Sequence, residues 1–238
     1  MLAAKSIALT GLLVAASWTA SAQHRPVKIV LVGDSTVNDE GGWGPGLRAS
    51  FGANVEIVNL AQNGRSSKSF RDEGLWAPAL AAKPDFILIQ FGHNDAPGKG
   101  PERETDAKTT YRENMARYVD EARAIGAEPI LVTSIVRRNF TPEGKIQVDS
   151  LADYVDSVRR LAAEKKVPLI DLYSLTLEQA ESLGPAGCEE IDARDKEGKP
   201  DHTHLGPKGR LEIGAMAARE LVKLESALKP NVLELGGR

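Results

Sequence analysis

Val27-Lys28-Ile29-Val30-Leu31-Val32-Gly33-Asp34-Ser35-Thr36 is the stretch on which the fold of this chain turns. Its first six residues read as a buried β-strand, and near-continuous Val/Ile/Leu runs belong to parallel sheets covered on both faces. The run ends in a glycine followed by small polar residues. Open α/β sheets collect their ligands outside the carboxyl ends of the strands, so Ser35 stands where a ligand would be met. The same four residues, 33–36, also suit a plain Ser/Thr turn that caps a helix. The rest of the chain has to decide between the two.

Further strand-like runs follow at 55–60, 86–91, 129–135 and 168–172. Between the later ones, Tyr111, Met115, Tyr118, Val119 and Ala122 fall at helical spacing, as do Val148, Leu151, Val155, Val158 and Leu161. A last helix is expected over about 207–228, with Pro207 suited to its first turn. Strands alternating with helices predict an α/β domain: a three-layer α/β/α sandwich around a parallel, flavodoxin-like sheet of about five strands.

The first 22 residues read as a targeting segment. Lys5 supplies the positive charge, residues 7–18 are apolar, and Ala20-Ser21-Ala22 offers a small-x-small cleavage site. That apolar stretch is shorter than the roughly 20 residues a spanning helix needs. The expectation is a signal peptide over 1–22, one domain over 23–238, and a secreted or periplasmic protein. The formal net charge of −3 argues against nucleic acid or an anionic membrane as partner, because both select a basic face. Cys188 is the only cysteine, so no intramolecular disulfide forms and the core alone must hold the fold. Asn139-Phe140-Thr141 matches a glycosylation pattern, which we read as incidental.

A parallel sheet brings the loops after its strands to one edge. Four polar clusters would meet there: Gly33-Asp34-Ser35, Asn63-Gly64-Arg65-Ser66, Gly92-His93-Asn94-Asp95 and Asp201-His202-Thr203-His204. A serine hydroxyl is a weak nucleophile until a neighbouring base accepts its proton. Asp201 and His204 lie three residues apart, so one short turn can carry both an imidazole base and the carboxylate that fixes its tautomer. An acyl-transfer site also needs donors for the developing oxyanion. The Ser35 N–H, the Gly64 N–H and the Asn94 side-chain amide are the candidates. His202 reads as an exposed loop histidine or a pocket wall, His93 has no assigned role, and Trp43 either joins the site or packs beneath it.

These blocks, in this order, resemble the SGNH (GDSL-type) hydrolase superfamily. Gly42-Trp43-Gly44, Gly64-Arg65-Ser66-Ser67-Lys68-Ser69-Phe70, Glu73-Gly74-Leu75-Trp76, Gln90-Phe91-Gly92-His93-Asn94-Asp95 and Thr203-His204 are similar to the rhamnogalacturonan acetylesterases among its carbohydrate esterases. The resemblance implies a cofactor-free Ser-His-Asp esterase that removes O-acetyl groups from pectic or other plant cell-wall polysaccharide. It also implies Ser35 as nucleophile, Gly64 and Asn94 as oxyanion donors, and Asp201 and His204 as the remaining triad members. Residues 184–200 and Leu205, where the family often has an aromatic, depart from its pattern.

Three other readings compete. A metal hydrolase could draw ligands from His93, Asp95, Asp201, His202 and His204, but it leaves Ser35 and Gly64 idle and lacks a His-Glu-x-x-His motif. A nucleotide-binding protein could use Gly41-Gly42-Trp43-Gly44-Pro45-Gly46, yet a phosphate fingerprint begins directly at the strand end, where Asp34 stands. Among esterases, the alternatives are an acetylxylan esterase or a lipase or thioesterase. Val37 replaces the second glycine of the Gly-x-Ser-x-Gly elbow, and no apolar lid flanks the motifs, which favours a short acyl group. Neither a cofactor nor a metal is expected.

Overall fold

In the computed structural model, residues 25–233 are described. The expected signal segment lies outside them. Five parallel strands form the central sheet: β1 (Val27–Gly33), β2 (Val55–Asn59), β3 (Phe86–Gln90), β4 (Glu128–Val132) and β5 (Leu169–Ile170), in the order β2-β1-β3-β4-β5. This is the flavodoxin-like order, whose topological switch point lies between β1 and β3. In sheet register Gly33 pairs with Gln90, so the Ser35 turn leaves the sheet at that switch point.

Side chains alternate across β1 and build two cores. Val30 and Val32 face one layer with Ile87, Ile89, Phe70, Tyr111, Met115 and Tyr118. Ile29 and Leu31 face the other with Leu88, Ile130, Trp43, Leu47 and Ile213. The first layer contains α2 (Ser69–Asp72), α3 (Trp76–Ala81), α4 (Thr110–Ala124) and α5 (Leu151–Lys165). The second contains α1 (Gly44–Ala49) and α7 (Pro207–Leu224). The three-layer expectation holds.

Glycine accounts for how α1 and α7 meet. A β-carbon on Gly46 would lie 2.1 Å from the Arg210 carbonyl oxygen, and one on Gly214 would lie 2.3 Å from the Leu47 nitrogen. The two backbones touch with no side chain between them. The glycine-rich run 41–46 is therefore a packing device, which gives its glycines a role other than cradling phosphate.

Several expectations need correction. The periodic run that included Val148 becomes a helix only at Leu151, and Val148 is 76% exposed. The last strand keeps two residues, because Asp171 accepts a hydrogen bond from the Ser174 amide and caps α6 (Leu172–Ile191) immediately. The final helix stops at Leu224, and residues 226–231 form a 3₁₀ turn. The segment 184–205 holds a hairpin that sequence patterning did not reveal. Gly184, in a left-handed conformation followed by Pro185, kinks α6, and β6 (Asp192–Arg194) then pairs antiparallel with β7 (Pro200–Leu205).

Candidate active site

The turn carrying Ser35 is held from below by a chain of buried hydrogen bonds. Asp34 is fully buried, and its Oδ1 accepts from the Thr36 amide (2.9 Å) and the Thr36 hydroxyl (2.7 Å). Gln90 Nε2 donates to Thr36 Oγ1 (2.7 Å), and Trp43 Nε1 donates to Gln90 Oε1 (2.9 Å). Trp43 thus packs beneath the site, which decides between its two expected roles. Burial pushes the Asp34 pKa up against the lowering effect of its bonds to Thr36. Its side chain faces the interior, not the strand end where a phosphate would sit.

Loops after β2 and β3 are tied to each other through Asp95. Its carboxylate accepts from Ser67 N (3.0 Å), Ser67 Oγ (2.5 Å) and Thr105 Oγ1 (2.9 Å), while the Asp95 carbonyl accepts from the Tyr154 hydroxyl (2.9 Å). Burial pushes the Asp95 carboxyl up to about 7, in spite of those donors. The result is a rigid rim bearing Gly64 and Asn94. Gly64 adopts φ +75°, a left-handed turn conformation that glycine reaches without strain. Asn94 Nδ2 donates one hydrogen to the Arg65 carbonyl (3.2 Å), and its second hydrogen is available to a ligand.

The candidate base arrives on the hairpin. Asp201 and His204 were expected on a short turn; they lie instead on β7, and an irregularity in that strand reconciles the two descriptions. Asp192 pairs with Leu205 and Ala193 with Asp201, so one step along β6 answers to four along β7. The surplus residues bulge outward and close around the Asp201 carboxylate, which accepts from the amides of Thr203 (3.0 Å) and His204 (3.2 Å). That bulge aims the imidazole. His204 Nδ1 lies 2.6 Å from Asp201 Oδ2, and His204 Nε2 lies 2.8 Å from Ser35 Oγ. Burial works against ionisation of Asp201, but the bonds from His204 and Thr203 outweigh it and its pKa falls below the ordinary carboxylate value.

Sequence reasoning missed the brace behind this hairpin. Arg138, in the loop after β4, is buried and pairs through Nε with the buried Asp192. Its Nη2 donates to the His204 carbonyl (2.9 Å), and its backbone amide donates to the His202 carbonyl (2.7 Å). His202 turns away from Ser35 and sets Nδ1 3.1 Å from Asp192 Oδ2. The only hint in the sequence is an arginine just past a buried strand. His93 is also buried, with neither ring nitrogen bonded, and burial drives its pKa well below the usual histidine value. Among the described residues no group of three or more His, Cys, Asp or Glu could hold an ion.

Ser35, Gly41, Asn63, Gly64, Asn94 and His204 open onto one cleft of about 490 Å³. A second hollow, of about 350 Å³, lies between α4 and α5 among charged residues such as Arg112, Arg160 and Glu164. Ser157 lines it without a histidine beside it to serve as base. A serine hydroxyl beside an imidazole that a carboxylate holds, with Gly64 and Asn94 on the same cleft, is an arrangement capable of acyl transfer.

Comparison with known proteins agrees with that chemistry. The profile of the GDSL-like lipase/acylhydrolase family matches residues 17–210. The chain belongs to this family. As a GDSL family member it is a carboxylic ester hydrolase. It is 33% identical over 232 residues to the rhamnogalacturonan acetylesterase RhgT of Bacillus subtilis, a match covering 90% of this chain and 97% of RhgT. A rhamnogalacturonan acetylesterase of Emericella nidulans is 30% identical over 233 residues, 86% of each chain. Among solved structures, the Bacillus subtilis protein YxiM superimposes with a TM-score of 0.73 at 27% identity, covering 85% of this chain and 58% of YxiM. The acetylxylan esterase Axe2 of Geobacillus stearothermophilus, at 18% identity and a TM-score of 0.62 over 84% of this chain and 94% of its own, shares the SGNH hydrolase fold. Among the described residues no helix is long and apolar enough to cross a membrane.

Proposed function

We propose that this protein is a serine esterase that removes O-acetyl groups from plant cell-wall polysaccharide, rhamnogalacturonan or a related pectic polymer, through an acetyl-enzyme on Ser35. The observation that carries the reading is the continuous line from Ser35 Oγ through the His204 ring to Asp201. The names of the two acetylesterase relatives support the choice of substrate.

In this mechanism Ser35 Oγ attacks the acetyl carbonyl carbon while its proton passes to His204 Nε2. Asp201 holds the opposite ring nitrogen protonated and stabilises the imidazolium. Negative charge on the carbonyl oxygen is met by the amides of Ser35 and Gly64 and by Asn94 Nδ2. Collapse of the tetrahedral species expels the sugar oxygen, which takes the proton from His204, and leaves acetyl on Ser35. Water then attacks that ester with His204 again as base, and acetate departs. The route needs no cofactor. The targeting pattern at 1–22 suits a substrate met outside the cytoplasm, so the proposal includes export.

Acetate release from acetylated rhamnogalacturonan, homogalacturonan and xylan, with labelling by a serine-directed phosphonate, tests the reading. Expected are turnover of the pectic polymers and a phosphonate adduct on Ser35. Full activity of Ser35→Ala would overturn the mechanism, and faster turnover of octanoyl than of acetyl nitrophenyl esters would overturn the substrate class.

A further inference from the structure

The imidazole of His204 rests against backbone. The three atoms nearest to a β-carbon built on Gly41 all belong to His204: Cδ2 at 3.1 Å, Cβ at 3.3 Å and Cγ at 3.4 Å. Gly41 is not among the glycines with positive φ, so the shape of its backbone does not call for glycine. The neighbouring ring does. Gly41 belongs to the loop between β1 and α1 that also carries Ser35, and that loop is well tied. Asn38 Oδ1 accepts from the amides of Glu40 (3.1 Å) and Gly41 (2.9 Å), while Asn59 Nδ2 donates to the Val37 carbonyl (3.0 Å) and to Asp39 Oδ1 (2.7 Å). The residue after His204 is fastened to this loop twice. The Leu205 amide donates to the Gly41 carbonyl (2.8 Å). Arg210, in the first turn of α7, spans the remainder: Nε donates to the Leu205 carbonyl (3.0 Å) and Nη1 to the Asp39 carbonyl (3.4 Å).

We infer that Gly41 and Arg210 are positioning residues for His204: Gly41 is the stop against which the ring settles, and Arg210 is the clasp that holds β7 to that stop. Hydrogen bonds to Asp201 and Ser35 hold the ring at its two nitrogens. They leave it free to pivot about the line joining those atoms. Gly41 meets the ring at the opposite, Cγ–Cδ2 edge and blocks the pivot in one direction. The imidazole is thereby set against the same loop that carries its serine partner, so the two reacting groups share one frame. A methyl group at position 41 would push the ring by a few tenths of an ångström. Proton transfer is sensitive to such displacements, since a misplacement of about 1 Å can cost about 10²-fold in rate.

The inference rests on the serine-esterase reading for its kinetic arm alone. Gly41→Ala is expected to lower kcat on acetyl nitrophenyl ester by about tenfold with KM little changed. Arg210→Met keeps the aliphatic stem and drops both hydrogen bonds; it is expected to lower kcat by about three- to tenfold, again at steady KM. Gly52→Ala is the control, because its β-carbon meets nothing nearer than 3.6 Å, and it should keep the kcat of the wild type. Both test residues line the cleft, so a rise confined to KM would make them substrate contacts and overturn the inference. The second arm needs no substrate. Long-range proton–nitrogen NMR reads the two ring nitrogens of His204, assigned by their loss in His204→Asn. Asp201 holds the proton on Nδ1 in the wild type, and in Gly41→Ala and Arg210→Met the nitrogen signals should converge as the two tautomers mix. A merely structural role would lower the melting temperature and leave those signals where they are. Should Gly41→Ala fail to fold, Arg210→Met carries both arms. Ring signals unmoved in the variants overturn the inference whatever the kinetics. Failure of the esterase reading shows separately, as full activity of Ser35→Ala, and leaves the NMR comparison standing.

Discussion

The two halves of the candidate site are secured in different ways. Ser35, Gly64 and Asn94 sit on loops that leave adjacent parallel strands, and buried hydrogen bonds from Gln90, Thr36 and Asp95 brace them from within. Asp201 and His204 sit on a two-stranded hairpin outside the sheet, tied to the loop after β4 by the buried Arg138–Asp192 pair. The Ser35 side inherits its rigidity from the core; the His204 side depends on the Arg138–Asp192 pair, Arg138's bonds to the His202 and His204 carbonyls, and a strand bulge. Both braces are costly to cut, and the ion pair most of all, because a buried charge stripped of its partner is expensive.

The severest way to break the comparison is to remove chemistry from either side. Ser35→Ala and His204→Ala should each lower kcat by about 10⁴-fold or more, with the fold intact by circular dichroism. Unequal losses would mean that the two sides do not act as a unit. Arg138→Met should next separate stability from geometry. It is expected to cost about 3–5 kcal/mol in denaturant unfolding, as uncoupling a buried pair does, and to lower kcat with little change in KM. Stability lost at unchanged kcat would show that the hairpin aims His204 without the brace. On the sheet side, Asn94→Ala should cost about 10²–10³-fold in kcat if its amide meets the oxyanion, whereas a change confined to KM would make it a substrate binder.

Asp95 sharpens the contrast through pH. Its folded pKa of about 7 lies above the 3.8 of an unperturbed aspartate. Between those values the unfolded chain releases a proton that the folded chain keeps, so wild-type stability falls as pH rises through that window. Asp95→Asn does not titrate there. The stability advantage of wild type over this variant should therefore shrink between about pH 4 and pH 7, at roughly 1.4 kcal/mol per pH unit at most. A gap that stays constant across the window would show a carboxylate ionised in the fold throughout. The smallest effect is expected at the exposed end of the brace: His202→Ala should keep kcat within about tenfold of wild type, since Arg138 retains Asp192. Damage equal to that of His204→Ala would assign the base wrongly.

How much of this was legible follows the same division. Strands and rim loops were readable because parallel strands are continuous apolar runs and their loops must converge. Residues 27–36 mark Ser35 as a candidate nucleophile only together with the clusters at 63–66, 92–95 and 201–204. The hairpin was not readable, because β6 and β7 are short, polar and half-exposed and have no apolar alternation to betray them. Asp192 and Arg138 escaped for another reason: their pairing spans 54 positions, and nothing local marks a charged residue that will be buried. Val148 misled because it continued a helical period past the point where the chain turns, and periodicity cannot see a helix start. The place of Trp43 depends on its indole N–H reaching Gln90, 47 positions away, which no local pattern marks.

The direct contact of α1 with α7 through Gly46 and Gly214 has a consequence for the order in which the molecule assembles. Ser35 precedes α1 and His204 precedes α7, so the seam between these helices closes the distance between residues 169 positions apart. Contacts of such long sequence separation form late, after shorter loops have closed. A chain whose five strands have paired but whose last helix is still undocked has a serine and no base. Hydrolytic competence would then lag behind the recovery of secondary structure during refolding, so that appearance of activity marks the docking of the carboxyl-terminal helix.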